Sequence, residues 1–121
     1  MNIKPLKPAV HGIADYVISA ANIAAPTLLR LNPGAVKLFT ALSGGMLFLN
    51  GLTNTPVGIK KELSFEDHRK ADLVMLTGMA LLPLLGMVRK NRRTLYYTLG
   101  FLGLAAANYF LTDYAAGTKT K

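Results

Sequence analysis

Two pairs of ionisable residues, each a histidine followed four residues later by an aspartate, are the part of this sequence best suited to chemistry. His11 precedes Asp15, and His68 precedes Asp72. Residues four apart lie on the same face of a helix, so each pair predicts an imidazole beside a carboxylate. We interpret the pairs first as a structural lock, in which each aspartate accepts a hydrogen bond from its own histidine or from the neighbouring pair.

Three other functions fit the same four residues and stay open. A histidine that titrates near neutrality, with an aspartate partner, suits a proton or ion relay. Two imidazoles and two carboxylates suit a metal site, and two histidines facing each other suit a bis-histidine haem. The metal and haem alternatives require the two pairs to converge, which the sequence does not determine.

The rest of the sequence contains no recognisable catalytic arrangement. The chain has no cysteine, which excludes disulfides, cysteine-based zinc sites and thiol nucleophiles. It also has no nucleophile–base arrangement, phosphate-binding loop or metalloprotease signature. The sequence therefore predicts a protein that is not an enzyme and has no cofactor, with the identity of any metal left open.

The two pairs belong to an internal repeat. The pattern His-x-x-Ala-Asp occurs at 11–15 and again at 68–72, an offset of 57, and Pro26 and Pro83 keep the same offset. A second match joins Leu52-Thr53-Asn54 to Leu111-Thr112-Asp113, with Gly58 and Gly117 four residues beyond each, at an offset of 59. We interpret these matches as a tandem duplication within one domain spanning 1–121, with repeat one at about 9–58 and repeat two at about 66–117.

Four apolar windows carry these polar positions. They run at about 9–29, 36–52, 71–88 and 95–112, and most charged residues lie in clusters between them. Each window is roughly 17–21 residues long, which at 1.5 Å per residue approaches the ~30 Å hydrocarbon core of a bilayer. The sequence therefore predicts an all-α bundle of four transmembrane helices, built from two parallel two-helix repeats.

Local signals mark some of the ends of these helices. Asn32-Pro33-Gly34 predicts a tight turn between the first two windows. Ser64, with Asp67 three residues later, is a capping pattern that predicts a third helix beginning near Phe65. Pro26 and Pro83 lie late in the first and third windows and predict kinks or helix ends.

Three asparagines lie inside the apolar windows: Asn22, Asn50 and Asn108. A buried amide must form hydrogen bonds, so we expect these side chains to face other helices. They are interpreted first as contacts that hold helices together and second as residues lining a substrate path.

The formal net charge is +8 and the basic residues lie beside the apolar windows. That placement predicts loops that touch a lipid bilayer with anionic headgroups, and no nucleic-acid partner. The expected localisation is the cell membrane, as a multi-pass protein of the bacterial inner membrane. Small-residue surfaces also predict a homo-oligomer or a partner membrane protein.

The repeat resembles the SPW-repeat family of small bacterial integral membrane proteins over about residues 9–117. The resemblance rests on two segments and a closing motif: His11, Asp15 and Pro26; His68, Asp72 and Pro83; and Leu111-Thr112-Asp113-Tyr114 with Gly117. The Ser-Pro-Trp motif itself is altered in both copies, and the chain has no tryptophan. In size and layout the chain is also similar to DoxX-like four-helix membrane proteins, which lack the His/Asp repeat.

This resemblance implies a membrane protein without an assigned activity. The sequence therefore predicts a structural or accessory role in a bacterial membrane. The alternatives are an oligomeric transporter or channel component for ions or small solutes, and a redox membrane subunit that binds metal or haem through the His/Asp repeat.

Overall fold

The computed structural model describes residues 4–115, which form four long helices and two short helical segments. The long helices are α1 (Pro8–Leu28), α2 (Pro33–Gly51), α3 (Phe65–Leu81) and α5 (Arg92–Phe110). Between α3 and α5 lie a 3₁₀ turn at Leu82–Leu84 and the single-turn helix α4 (Gly86–Arg89). The all-helical expectation therefore agrees with the described part of the chain.

Side-chain caps and prolines set the helix starts. Ser64 accepts a hydrogen bond from the amide of Asp67 at 3.1 Å, which confirms the predicted start of α3 at Phe65. Asn32 caps α2 in the same way, and Pro33 occupies the first helical position, where a missing N–H costs nothing. Asn91 caps α5 through the amide of Thr94.

The helices pair as two hairpins, α1 with α2 and α3 with α5. Phe39 is fully buried and meets Phe101 edge-on, with ring centroids 5.8 Å apart, so the two hairpins share one apolar core. Leu31, Ala35, Met46 and Met79 complete its buried part. Hydrophobic burial of this kind is the main favourable term in folding.

Backbone contacts at one end join the first hairpin to the second. Leu6 pairs with Thr112, and Thr53 pairs with Leu63. At the opposite end the side chain of Asn32 donates to the carbonyl of Met87 at 2.8 Å. The ends of both hairpins are therefore tied together.

Helix bounds in the two hairpins correspond at the offsets of the sequence repeat. The first helices begin at Pro8 and Phe65, and the second helices begin at Pro33 and Arg92. The two offsets differ by two residues, and the 3₁₀ turn and α4 lie between the two long helices of the second hairpin. The duplication itself stays a prediction, and Gly117, at the end of repeat two, lies outside the described residues.

The predicted transmembrane bundle is wrong. Within residues 4–115, none of the helices combines the length and the apolar character needed to cross a membrane. The same finding corrects the expected localisation as a multi-pass membrane protein.

Three of the four apolar windows match helices to within a few residues, but the third does not. The third window, 71–88, is not one helix, because α3 begins at Phe65 and ends at Leu81, before the 3₁₀ turn. At 17 residues α3 is about 25 Å long, and charged side chains occupy much of its first two turns. Helix α1 is longer, but it directs His11, Asp15 and Asn22 into the protein interior.

Candidate functional site

The four predicted ionisable residues converge in one buried cluster. The Nε2 atoms of His11 and His68 lie 3.3 Å apart. Each histidine contacts the aspartate of its own helix at 3.2 Å and the aspartate of the other hairpin at 3.1 Å. All of these contacts use the Oδ2 atoms of Asp15 and Asp72, so two nitrogens and two oxygens surround a common centre.

Helix starts position these side chains. His11 and Asp15 lie in the first two turns of α1, and His68 and Asp72 lie in the first two turns of α3. The four-residue spacing places each pair on one helix face, as the sequence predicted. Packing of the two hairpins then brings the faces together, with the ring centroids of the histidines 5.2 Å apart.

Threonine hydroxyls fix the outer nitrogen of each imidazole. Nδ1 of His11 lies 2.6 Å from Oγ1 of Thr112, and Nδ1 of His68 lies 2.6 Å from Oγ1 of Thr53. Each threonine hydroxyl donates its own proton to a backbone carbonyl four residues earlier, at Asn108 and at Leu49. The hydroxyl oxygens therefore accept from Nδ1–H, which leaves the Nε2 atoms to face the centre.

The two hairpins exchange these partners. The histidine of the first hairpin bonds to a threonine at the end of α5, and the histidine of the second bonds to a threonine at the end of α2. Both threonines also belong to the backbone pairs with Leu6 and Leu63. The cluster is therefore assembled only when both hairpins are in place.

Amide and phenol groups hold the carboxylates. Nδ2 of Asn108 donates to Oδ1 of Asp15 at 2.7 Å, and the hydroxyl of Tyr114 donates to Oδ2 of Asp72 at 3.0 Å. Burial and the charge of Asp72 raise the pKa of Tyr114, so its hydroxyl keeps its proton and acts as a donor.

Most of the site is shielded from bulk water. The side chains of His11 and His68 are 1% and 0% exposed, and those of Asp15 and Asp72 are 7% and 16% exposed. Phe65 and Tyr114 cover one side, with ring centroids 5.6 and 5.3 Å from that of His11. Charges in such a setting interact more strongly than they do in water.

Burial opposes charge on the imidazoles, but their contacts with Asp15 and Asp72 outweigh it. The net effect of burial and these contacts is to raise the pKa of His11 to about 9 and to raise the pKa of His68 as well. For Asp72, burial disfavours the carboxylate, yet the two histidines lower its pKa to about 2. The four groups therefore favour a state in which positive charge balances the two carboxylates.

The geometry does not suit haem. Axial imidazoles bind on opposite sides of the iron, which would separate their Nε2 atoms by about 4 Å with the porphyrin plane between them. Here the nitrogens are 3.3 Å apart, and oxygens of Asp15 and Asp72 contact both of them.

Of the three asparagines that the sequence singled out, two lie away from the contacts of the cluster and one lies within them. Asn22 donates to Ser43 at 2.7 Å and accepts from Tyr97, away from the cluster. Asn50 donates to the carbonyl of Gly12 at 2.8 Å and so holds α2 against α1. Asn108 alone among the three asparagines contacts a cluster residue through its side chain.

The two prolines lie at the other end of the hairpins from the cluster. Pro26 is inside α1, two residues before its end, and Pro83 is in the 3₁₀ turn that follows α3. A kink at either position stays a prediction.

Three residues that complete the site were not predicted as site residues: Thr53, Thr112 and Tyr114. The signal was present for the threonines, because Leu-Thr occurs in both copies of the repeat. Tyr114 was noted only as part of the closing motif, since an aromatic residue at a helix end is common in many settings.

Comparison of the chain with protein-family models, with characterised proteins and with solved structures gives no match. The resemblance to SPW-repeat proteins therefore stays a prediction, and the candidate function rests on the geometry of the cluster.

Proposed function

We propose that this protein binds one divalent transition-metal ion, with Zn²⁺ the best fit, through His11, Asp15, His68 and Asp72. The observation that carries the proposal is the convergence of four ligand atoms, one from each residue, within 4.8 Å of one another. Each hairpin supplies one histidine and one aspartate, so the ion would crosslink the two halves of the fold.

The distances between ligand atoms support tetrahedral coordination. A metal about 2.0 Å from four ligands at the corners of a tetrahedron separates those ligands by about 3.3 Å. Five of the six separations in the cluster lie between 3.1 and 3.3 Å, and the sixth, between the carboxylate oxygens of Asp15 and Asp72, lies within 4.8 Å. Zn²⁺ accepts imidazole nitrogen and carboxylate oxygen in this geometry, whereas Mg²⁺ and Ca²⁺ prefer more oxygen ligands.

Electrostatics also support a cation. When each imidazole is neutral, with its proton on Nδ1, both Nε2 atoms present lone pairs toward two carboxylate oxygens. Four electron-pair donors at this separation repel one another unless positive charge lies among them. The threonines and Asn108 then serve as outer partners that orient the ligands, as is usual around protein-bound metals.

The test is metal binding by protein that has been stripped with a chelator and then titrated with Zn²⁺. We expect one ion per chain and a rise in the unfolding temperature, since a ligand at 1,000 times its Kd stabilises the folded state by about 4 kcal/mol. Asp72→Asn should abolish the rise. Asp67→Asn is the matched control, because Asp67 is on the same helix and outside the cluster.

One outcome overturns the proposal. If neither Zn²⁺, Co²⁺, Mn²⁺ nor Fe²⁺ binds at one ion per chain, or if Asp72→Asn and Asp67→Asn change binding equally, the cluster is not a metal site.

A second candidate function is a structural lock in which protonated histidines take the place of a metal ion. The raised pKa values of His11 and His68 favour it, because two imidazolium ions would balance the two carboxylates without a metal. This lock predicts a stable protein whose unfolding temperature does not respond to Zn²⁺ or to chelator.

A further inference from the structure

A small cavity lies directly against the cluster, on the side facing the protein core. Its volume is about 30 Å³, which is enough for one or two water molecules. Its polar wall comes from His11, Asp15, Asp72 and Asn108. The rest is apolar, formed largely by Met46, Met75, Leu76 and Met79.

Asn108, which lines this cavity, has an unpaired acceptor. Its Nδ2 donates to Asp15, which fixes the orientation of the amide, because a carboxylate oxygen accepts and does not donate. Its Oδ1 is buried and has no hydrogen-bond partner in the part of the chain that the structure describes. The residue is 8% exposed, and leaving a buried carbonyl of this kind unpaired destabilises the folded state.

We infer that the metal has a fifth, exchangeable coordination position that opens into this cavity and holds a water molecule donating to Oδ1 of Asn108. The inference rests on the proposed metal site. The water would satisfy the unpaired carbonyl, and its other side would meet the ion, because the cavity is lined by three of the four ligand residues.

The cavity also limits what can replace this water. A volume of about 30 Å³ with mostly apolar walls admits a water-sized or linear ligand of a few atoms and excludes an organic substrate. The class of ligand is therefore a small neutral molecule or a small anion such as azide.

The experiment uses the full chain loaded with Co²⁺, whose visible absorption changes with coordination number. Azide is titrated into the unaltered protein, into Ala105→Val and into Ala107→Val. Ala105 lines the cavity, so the added methyl groups should fill the space and abolish the response to azide. Ala107 is exposed on the same helix and outside the cavity, so Ala107→Val should respond as the unaltered protein does.

A measurement without any variant keeps the inference testable if Ala105→Val does not fold. The Co²⁺ protein in water enriched in ¹⁷O should show magnetic coupling between the metal and one oxygen.

The outcomes separate the two proposals. Co²⁺ could bind at one ion per chain, show no ¹⁷O coupling and give no change in absorption with azide. That result would contradict the fifth coordination position and leave the four-ligand site intact. An azide response that survives in Ala105→Val would also overturn it, because the open position would then face elsewhere. Failure of Co²⁺ to bind at all would overturn the proposed function itself.

Discussion

Thr53 and Thr112 decide which nitrogen of each histidine faces the centre of the cluster. Each hydroxyl accepts from Nδ1–H at 2.6 Å while donating to the carbonyl four residues earlier. A valine at these positions keeps the shape and removes both bonds. The imidazole would then be free to rotate or to move its proton to Nε2, where a proton blocks metal binding.

We therefore expect Thr53→Val to weaken Zn²⁺ binding by about 10- to 100-fold, the usual effect of losing an outer partner of a ligand. Competition with a coloured chelator would measure it. Thr77→Val is the matched control, because Thr77 also donates to the carbonyl four residues earlier, on an exposed surface without a histidine. Equal effects in the two variants would assign the loss to the helix and not to the site.

The pH dependence of the metal-free protein follows from the two histidines. Their pKa values are raised on folding, so the folded state holds protons that the unfolded chain releases above pH ~6.5. This contribution to stability is fully present below pH ~6.5 and is lost as the pH rises through about 9, the folded pKa of His11.

Urea unfolding of chelator-treated protein at several pH values from about 6 to about 9.5 would measure this loss, with the direction set by the linkage relation. His11→Gln removes one of the two groups and should flatten the dependence. Stability that stays constant or rises over this range would contradict the raised pKa values. The metal-loaded protein should behave in the opposite way and release its ion on acidification, because protons compete for the ligands.

Sequence reasoning found the four ionisable residues because charge in an apolar stretch needs a partner. It offered pairing with the neighbouring pair only as one of two alternatives and could not decide between them. His11 contacts Asp72 as closely as its own Asp15, and that contact depends on how two hairpins pack. The roles of Thr53 and Thr112 were missed for the same reason, since each serves the histidine of the other hairpin.

At the scale of elements, the residue at which a helix starts was easier to predict than whether the helix could span a membrane. Local chemistry set the start of α3, because Ser64 caps it, and the sequence showed that cap. The apolar window at 71–88 was misread as one span. Hydropathy averaged over a window does not record that α3 starts earlier, among charges, or that the 3₁₀ turn at Leu82–Leu84 ends it.

The connection between α2 and α3 contains one position that demands glycine. A Cβ at Gly58 would lie 1.9 Å from the backbone oxygen of Thr53, a distance that no side chain can occupy. We expect Gly58→Ala to displace the segment that carries Thr53, to destabilise the protein by about 2 kcal/mol or more, and to weaken metal binding. Urea unfolding and Zn²⁺ titration would measure the two effects.

Gly78 supplies the matched control. It lies inside α3, and a Cβ there would meet nothing within 4 Å in the described structure. Gly78→Ala should stabilise the protein by roughly 0.5–1 kcal/mol through helix propensity and leave Zn²⁺ binding unchanged. If both variants shift stability in the same direction, the close approach at Gly58 does not constrain the fold.

At the scale of the whole molecule, the ionisable cluster and the apolar core lie apart. The ionisable cluster lies at the end where Leu6 meets Thr112, and the buried apolar core lies around Phe39 and Phe101. Large apolar side chains are also exposed on all four long helices: Val17, Phe48, Val74 and Leu104. The homo-oligomer or partner membrane protein expected from the sequence stays a prediction.

A metal bound between the hairpins should couple them, because each hairpin supplies two of the four ligands. Hydrogen exchange measured with and without Zn²⁺ tests this coupling. We expect slower amide exchange in both helix starts, at 8–15 and 65–72, and at the end of α5 near Thr112. Little change is expected around Asn32 and Met87, at the far end of the hairpins.

His68→Asn is the decisive variant in that experiment, since it removes a ligand from the second hairpin only. If the ion joins the halves, adding Zn²⁺ to this variant should protect neither helix start, including the start of α1, where His11 and Asp15 are intact. Protection that persists at 8–15 but is lost at 65–72 in His68→Asn would mean that the first hairpin binds metal alone. The exchange of partners between hairpins would then be a feature of packing and not of the site.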